Sequence, residues 1–250
     1  MNKKVPEKCH CCDQGNYLPY ACVDTYRCDQ CGHIHRHYKE NVTEFHESDV
    51  YRDGQFDENK RGFKDLDPRR RAVRAARCQR QLSIVKEYIK ENESLIDLAT
   101  GKGFFLEEAK KYYKNLKASD LHRVVVTHNA VTNPEVEIIL SDISSMDESV
   151  VYDGVTAFDV LEHIDDINKI AEKVYKISNK YFITQIPCDR PLPPPNEGLF
   201  DGHAHYFTKE SLEALFCKNN LFSPESIRKS APGELAGGPE IIAVFKNNKR

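Results

Sequence analysis

The sequence predicts an α/β fold: a mostly parallel sheet covered by helices on both faces, preceded by a small metal-binding segment. Three observations predict it. From Pro68 onward, short apolar runs alternate with helical stretches, the pattern of parallel strands joined by crossover helices. The first of these runs ends in a glycine-bearing turn, Thr100-Gly101-Lys102-Gly103, that opens a helix. Six of the nine cysteines, Cys9, Cys11, Cys12, Cys22, Cys28 and Cys31, crowd into the first 31 residues.

The elements follow in order. Residues 1–40 are rich in Cys, His and Tyr, carry almost no helical periodicity, and form a unit of their own. Residues 41–67 are polar and aromatic and read as a connector, and residues 68–250 make the α/β domain. Pro68 suits the first turn of a helix capped by Asp67 and running to about Asn92, with Val73, Ala76, Leu82, Val85 and Ile89 as its apolar stripe. Ser94 to Ala99 reads as a buried strand, and a helix begins near Phe104. Further strands are expected at Leu116–Ser119, Val136–Leu140, Val151–Phe158 and Tyr181–Ile186, with helices near 121–131 and 165–178 between them. A helix over 208–219 is capped by Thr208. Two strands, Ser226–Lys229 and Glu240–Phe245, close the chain without a helix between them, so the sheet ends in a modified edge.

Composition narrows the classes of function. A chain of 250 residues can bury a full core and still carry a small second module. Its 40% hydrophobic and 30% charged residues are those of an ordinary globular protein. A formal net charge of −3 gives no global attraction to nucleic acid or to an anionic membrane. No apolar run approaches the ~20 residues of a membrane span. Met1 to Pro6 lacks the apolar stretch of a secretory signal, so a cytoplasmic location without a membrane partner is expected. Thiols stay reduced there, which makes the cysteine cluster a metal site rather than a disulfide framework.

Cys9-x2-Cys12, fifteen residues, then Cys28-x2-Cys31 offers two pairs of thiolates that together close a tetrahedral, structural Zn2+ site. Gly32, directly after the second pair, suits the tight turn that aims backbone amides at sulfur. His10, Cys11, Cys22, His33 and His35 stand close by as alternative ligands. Burying four thiolates without a metal is costly, so folding of this segment is expected to be coupled to metal binding.

A second constellation runs through the α/β domain. In Asp97-Leu98-Ala99-Thr100-Gly101-Lys102-Gly103 the glycines let the backbone approach a ligand at a strand end. The third glycine of a dinucleotide fingerprint is missing, since Phe104, Phe105 and Leu106 follow. Asp120, nineteen residues beyond Gly101 and at the end of the next strand, can accept both ribose hydroxyls of an adenosine. Asp142 ends the strand after that and can accept an adenine amino group while Ile143 covers the ring. The fourth strand runs out into Phe158-Asp159-Val160-Leu161-Glu162-His163-Ile164.

Here the chain resembles a known family. Phe158 to Ile164 is similar to the (D/E)-V-L-E-H-(I/V) segment of small-molecule class I methyltransferases. Asp97 to Gly103 resembles their first motif, with Ala99 in place of the usual first glycine. The usual L-(K/R)-P-G-G before the fifth strand is absent, and Ile177-Ser178-Asn179-Lys180 stands there. The resemblance covers residues 68–250 and implies a Rossmann-like sheet that binds S-adenosylmethionine. The implied donor contacts are Asp97, Ala99, Thr100, Gly101, Gly103, Asp120, Leu121, Asp142, Ile143, Phe158 and Asp159. With the cysteine ribbon in front, the chain looks like biosynthetic methyltransferases of nucleotide-linked sugars and related metabolites.

Methyl transfer from a sulfonium is an in-line displacement, and an acceptor hydroxyl or carbon acid must also lose a proton, for which histidine is the natural base near neutral pH. His163 follows the fourth strand. His203 and His205 lie in Phe200-Asp201-Gly202-His203-Ala204-His205-Tyr206-Phe207-Thr208, which resembles a segment preceding a helix in the same family; the three remain alternatives, with Tyr206 and Glu197 as further candidates. The proline-rich stretch Pro187–Pro195 before it reads as a lid. Arg70, Arg74 and Arg77 fall along one helix face, beside Arg69, Arg71 and Arg80, and can meet a phosphate-bearing acceptor or solvent. A small-molecule acceptor is the favoured partner. An rRNA or tRNA base methyltransferase is the alternative, disfavoured by the acidic net charge and by the absence of an Asn/Asp-Pro-Pro-aromatic motif. A zinc-ribbon adaptor with a relic domain is a third reading, and the intact donor motifs speak against it.

Overall fold

The computed structural model describes residues 6–21, 24–37, 68–188, 203–230 and 239–249. The expected connector at 41–67, Asp67, Cys22, Glu197 and most of the proline-rich stretch fall outside these residues.

Two sheets organise the molecule. The larger has seven strands: β4 (Leu95–Leu98), β5 (Leu116–Asp120), β6 (Glu137–Leu140), β7 (Tyr152–Phe158), β8 (Ser178–Pro187), β10 (Phe222–Lys229) and β11 (Glu240–Asn247), in the spatial order β10-β11-β8-β7-β4-β5-β6. Strands β4 to β8 are parallel, and β11 inserts antiparallel between β8 and β10. That insertion is the modified edge expected from the missing last crossover. The chain runs outward from β4 through β5 to β6, then returns to β7 on the other side of β4. The order therefore reverses between β4 and β7, and the carboxyl ends of strands at such a reversal are where open α/β sheets bind ligands.

Both faces are buried, and the side-chain alternation of strands divides the residues between them. Leu95 packs with Val85, Ile89, Phe105, Ile183 and Val244 on one face. Its neighbour Ile96 packs with Val155, Phe182, Phe216 and Phe245 on the other. The first face is covered by α1 (Pro68–Tyr88) and the short α2 (Phe104–Ala109). On the second face α4 (Ile167–Ile177) buries Ile167, Ile170, Ala171, Val174 and Ile177, a helical spacing that turns one stripe to the sheet. The remaining helices are α3 (Arg123–Thr132) and α5 (Lys209–Cys217). Thr208 caps α5 with a reciprocal pair of bonds: its side chain accepts from the Ser211 amide at 3.0 Å, and its own amide donates to Ser211 Oγ at 2.9 Å.

The N-terminal unit forms a second, four-stranded sheet from β1 (Tyr17–Pro19), β2 (Thr25–Cys28), β3 (Ile34–Arg36) and, from the far end of the sequence, β9 (His205–Tyr206). The pairing of β3 with β9 sets Ile34 opposite Tyr206 and His35 opposite His205. Cys9, Cys11, Tyr17, Cys28 and Cys31 belong to the same apolar cluster as Leu161, Phe207 and Leu212. The Thr208 hydroxyl donates to the Cys31 carbonyl at 2.8 Å, tying the start of α5 to the second cysteine knuckle. The described part of the N-terminal unit, residues 6–21 and 24–37, is thus built into the side of the α/β domain. No helix among the described residues is long and apolar enough to cross a membrane.

Candidate active site

At the reversal point the strand ends surround a cleft that opens to solvent. Ala99 and Gly101 after β4, Asp120 and Leu121 after β5, Asp142 and Ile143 after β6, and Asp159 and His163 after β7 all line it. The structure therefore brings seven of the eleven expected donor residues to one wall, together with His163. Ser141, His122, Val125, Val160, Ile164 and Ile170 complete the lining and were missed in the sequence. For Val125, Val160, Ile164 and Ile170 the signal was weak, because an apolar residue that walls a cleft looks like any core residue.

The glycine turn shows how the loop is made. Gly101 and Gly103 adopt φ of +54° and +74°, the left-handed region that only glycine enters cheaply. A Cβ on Gly103 would stand 1.9 Å from Asn129 Oδ1, whereas one on Gly101 would meet nothing within 4 Å. Gly103 is therefore needed for packing, and Gly101 keeps the cleft open. Asn129, fully buried on α3, donates to the Gly101 carbonyl at 2.7 Å, and Asn133 donates to Asn129 at 3.1 Å. This buttress of two asparagines was not read from the sequence. Thr100 and Gly103 shape the turn from behind, with the Thr100 amide bonded to the Ser119 carbonyl at 3.1 Å.

Ala99 also has positive φ, +53°, at the position where the resembling family carries glycine. The left-handed conformation costs an alanine about 1 kcal/mol. Ala99→Gly is expected to raise the stability of the ligand-free protein by up to about 1 kcal/mol in urea melts, less the extra entropy of an unfolded glycine. A loss of stability would show that the methyl group is a packing contact.

Each acidic group has a definite task. Asp120 is almost fully buried; its Oδ2 accepts from the Gly101 amide at 3.0 Å and its Oδ1 from the His122 amide at 2.9 Å. Asp142 caps the single turn Ile143–Ser145, accepting from the Ser144 amide at 2.6 Å. Asp97 and Phe158 do not line the cleft. Phe158 stacks edge-on against Phe105 at 5.0 Å. Asp97 lies beneath the glycine turn and accepts from the Thr156 hydroxyl at 2.7 Å.

Burial raises the Asp97 carboxyl to about 7, against an ordinary value of 3.8. The unfolded chain then ionises before the folded one, so stability falls as pH rises from about 4 to about 7 and levels off above. Asp97→Asn removes that decline. The variant is expected to gain on the native chain across this window, by up to about 4 kcal/mol at pH 8. Parallel melting curves from pH 5 to pH 8 would contradict the assignment.

The three histidines part company. The His163 ring lies 4.7 Å from that of His203, and His163 Nε2 stands 3.9 Å from the Glu162 carboxylate, which is 2% exposed. His205, although only two residues from His203, turns away into the N-terminal unit. It is fully buried there and shares a hydrogen bond with His33 at 3.2 Å. Tyr206 is its neighbour on β9, opposite Ile34.

The basic helix is partly used up. The Arg77 guanidinium is held between Asp159 at 2.8 Å and Glu240 at 2.6 Å, and Arg74 lies over the Phe104 ring. Arg71 stands 3.9 Å from Glu107. Arg77 is therefore an internal strut rather than a docking group.

In the N-terminal unit, Sγ atoms of Cys9, Cys12, Cys28 and Cys31 all lie within 4.8 Å of one another, with Cys9 to Cys31 at 3.6 Å and Cys12 to Cys28 at 3.7 Å. Four sulfurs about 2.3 Å from one zinc would sit about 3.8 Å apart, so the set fits that ion. Backbone amides of Cys11, Gly15, Gln30 and Cys31 point at the sulfurs from 3.3 to 3.5 Å. Cys9, Cys11 and His33 make an overlapping group, and Cys22 lies outside the described residues.

An open sheet with a glycine turn after its central strand and carboxylates closing the next two strand ends is the framework of class I methyltransferases. The chain belongs to the methyltransferase-domain family, whose profile matches residues 69–222. It is an S-adenosylmethionine-dependent methyltransferase. Its fold is shared with the N-methyltransferase NodS of Bradyrhizobium japonicum WM9 bound to S-adenosyl-L-homocysteine (TM-score 0.60, 12% identity, 84% of this chain and 100% of that one). The magnesium protoporphyrin IX methyltransferase of Synechocystis PCC 6803 bound to S-adenosylhomocysteine is equally similar (0.61, 14%, 84% and 100%). So is a chain from a complex between the Haloferax volcanii Trm112 methyltransferase activator and a methyltransferase (0.61, 11%, 75% and 95%). No curated protein matches the chain by sequence.

Proposed function

We propose that the enzyme methylates an oxygen or carbon of a small biosynthetic intermediate, a sugar carried on a nucleotide or a polysaccharide precursor, and that His163 is the base. The observation that carries this reading is the place of His163. It lines the cleft just after β7, with a buried carboxylate behind it and His203 at its edge, whereas His122, the other imidazole on the wall, follows β5. A carboxylate behind the ring can stabilise the imidazolium that forms as the base takes up the acceptor's proton. In this reading Asp120 takes the ribose, Asp142 and Ile143 take the adenine, and the Gly101 turn takes the methionine end of the donor. Cys9, Cys12, Cys28 and Cys31 hold a structural zinc ion, and residues 1–40 act as a ribbon docked on a catalytic domain of residues 68–250. Structural neighbours that include a magnesium protoporphyrin IX methyltransferase and a coclaurine N-methyltransferase bound to N-methylheliamine support a small substrate. Engagement of Arg77 inside the protein removes one guanidinium from any RNA-binding face.

The test is transfer of labelled methyl from S-adenosylmethionine to a panel of nucleotide sugars and to ribosomal and transfer RNA. Transfer to a sugar, lost in His163→Gln with donor binding retained, is the expected result. General-base removal of this kind costs about 10²- to 10⁴-fold in kcat. Transfer to RNA alone would overturn the choice of acceptor, and an unchanged rate in His163→Gln would overturn the base.

A further inference from the structure

A second cluster of nitrogen ligands lies at the seam between the two sheets. The pairing of β3 with β9 sets His35 directly opposite His205, with their rings 5.2 Å apart. His10, from the first cysteine knuckle, brings its ring to 4.9 Å from His35 and 5.8 Å from His205. One nitrogen from each of the three rings lies within 4.8 Å of the other two. His205 is 1% exposed and His35 8%.

The hydrogen bonds around these rings leave particular atoms over. His205 Nδ1 is engaged with His33 Nε2 at 3.2 Å, and His33 Nδ1 is engaged with the Tyr17 hydroxyl at 2.6 Å. That leaves His205 Nε2, which is buried without a hydrogen-bond partner among the described residues, as is His35 Nδ1. Buried polar atoms are nearly always paired, so two orphaned nitrogens in one cluster need an occupant. A hydrogen bond on the far side of an imidazole, such as the one between His33 and His205, is the usual companion of a metal-ligating histidine because it orients the ring and sets the tautomer.

We propose that His10, His35 and His205 bind a second divalent ion, of the zinc class, separate from the four-cysteine site. Three imidazoles suit zinc and its transition-metal neighbours and leave a fourth position for water. Two ligands come from the N-terminal unit and one from β9, so the ion clamps the ribbon to the catalytic domain. His205 is two residues from His203, whose ring abuts His163. The clamp therefore holds the segment that forms the His203 edge of the active site, and its three ligands are positioning residues for that edge.

The experiment uses the full chain, purified without a histidine tag, loaded with Zn2+ and dialysed. Metal content per chain is measured together with X-ray absorption at the zinc edge, for the native protein, His10→Gln and Cys12→Ser. His10 is only partly buried, so its variant is the one most able to fold, and circular dichroism checks that it does. The expected result is two zinc ions in the native chain with mixed sulfur and nitrogen coordination. His10→Gln is expected to keep one ion, coordinated by sulfur alone. One ion with only sulfur ligands, unchanged by His10→Gln, overturns the second site and leaves the ribbon intact. One ion with only nitrogen ligands, lost in His10→Gln and kept in Cys12→Ser, supports the second site and overturns the ribbon. A chain that holds no zinc overturns both.

Discussion

Asp120→Ala is expected to weaken S-adenosylhomocysteine binding by about 10²- to 10³-fold while the chain stays folded. The carboxylate is buried at the end of β5, and each of its oxygens already accepts one backbone amide, from Gly101 and from His122. A carboxylate oxygen has two lone pairs, so each retains one for a ribose hydroxyl. Two charge-assisted bonds at about 1.5–2 kcal/mol each give about 3–4 kcal/mol, which is the stated factor. Part of the loss comes through the protein itself, because the Gly101 amide loses its acceptor and the turn facing the donor loosens. Asp120→Asn separates the two effects. The amide can still accept from Gly101 or from a hydroxyl, so its loss is expected to fall between native and alanine. Titration calorimetry with S-adenosylhomocysteine reads both variants. Unchanged affinity in Asp120→Ala would move the ribose to another strand end.

The strand-turn-helix order was legible because each crossover unit carries its own periodicity, and boundaries moved by only a few residues. The helix expected to reach Asn92 ends at Tyr88, and the strand expected from Tyr181 begins at Ser178. The four strand-end motifs that gather at the cleft were legible for a similar reason: each follows directly from a strand end, and strand ends are local. What escaped is non-local. His205-Tyr206 is a two-residue strand with no period to detect, and its partner lies about 170 residues earlier in the chain. Without that pairing, His203 and His205 looked like equivalent candidates for the base; with it, one meets His163 and the other enters a cluster of histidines. Asn129 and Asn133 offered a faint signal, two amides four residues apart in a valine-rich helix, but their purpose depends on a glycine turn in another unit. The arginines of α1 read as a surface stripe because the sequence does not reveal that Glu240, in the last strand, waits beside Arg77.

Arg77→Met is expected to lower stability by about 3–5 kcal/mol and to weaken donor binding as well. Arg77 joins three elements: it stands on α1, holds Glu240 of β11 at 2.6 Å, and holds Asp159 after β7 at 2.8 Å. Glu240 is 2% exposed, and the Gln185 side chain also donates to it. Removing one member of a buried ion pair strands the other charge in a medium that solvates it poorly, and the cost is that of the stranded charge rather than of the contact. Asp159 adds a functional consequence. It adopts φ of +57° on the wall of the cleft, a conformation that a non-glycine residue keeps only when its surroundings impose it. Arg77 supplies that constraint from outside the cleft, so its loss frees Asp159 to relax and reshapes the wall. The double variant Arg77→Met with Glu240→Gln decides between the two effects. Neutralising Glu240 is expected to recover most of the stability, because the stranded charge is gone, but not the donor affinity, because Asp159 still lacks its cation. Recovery of both would mean that Asp159 is held by its backbone alone.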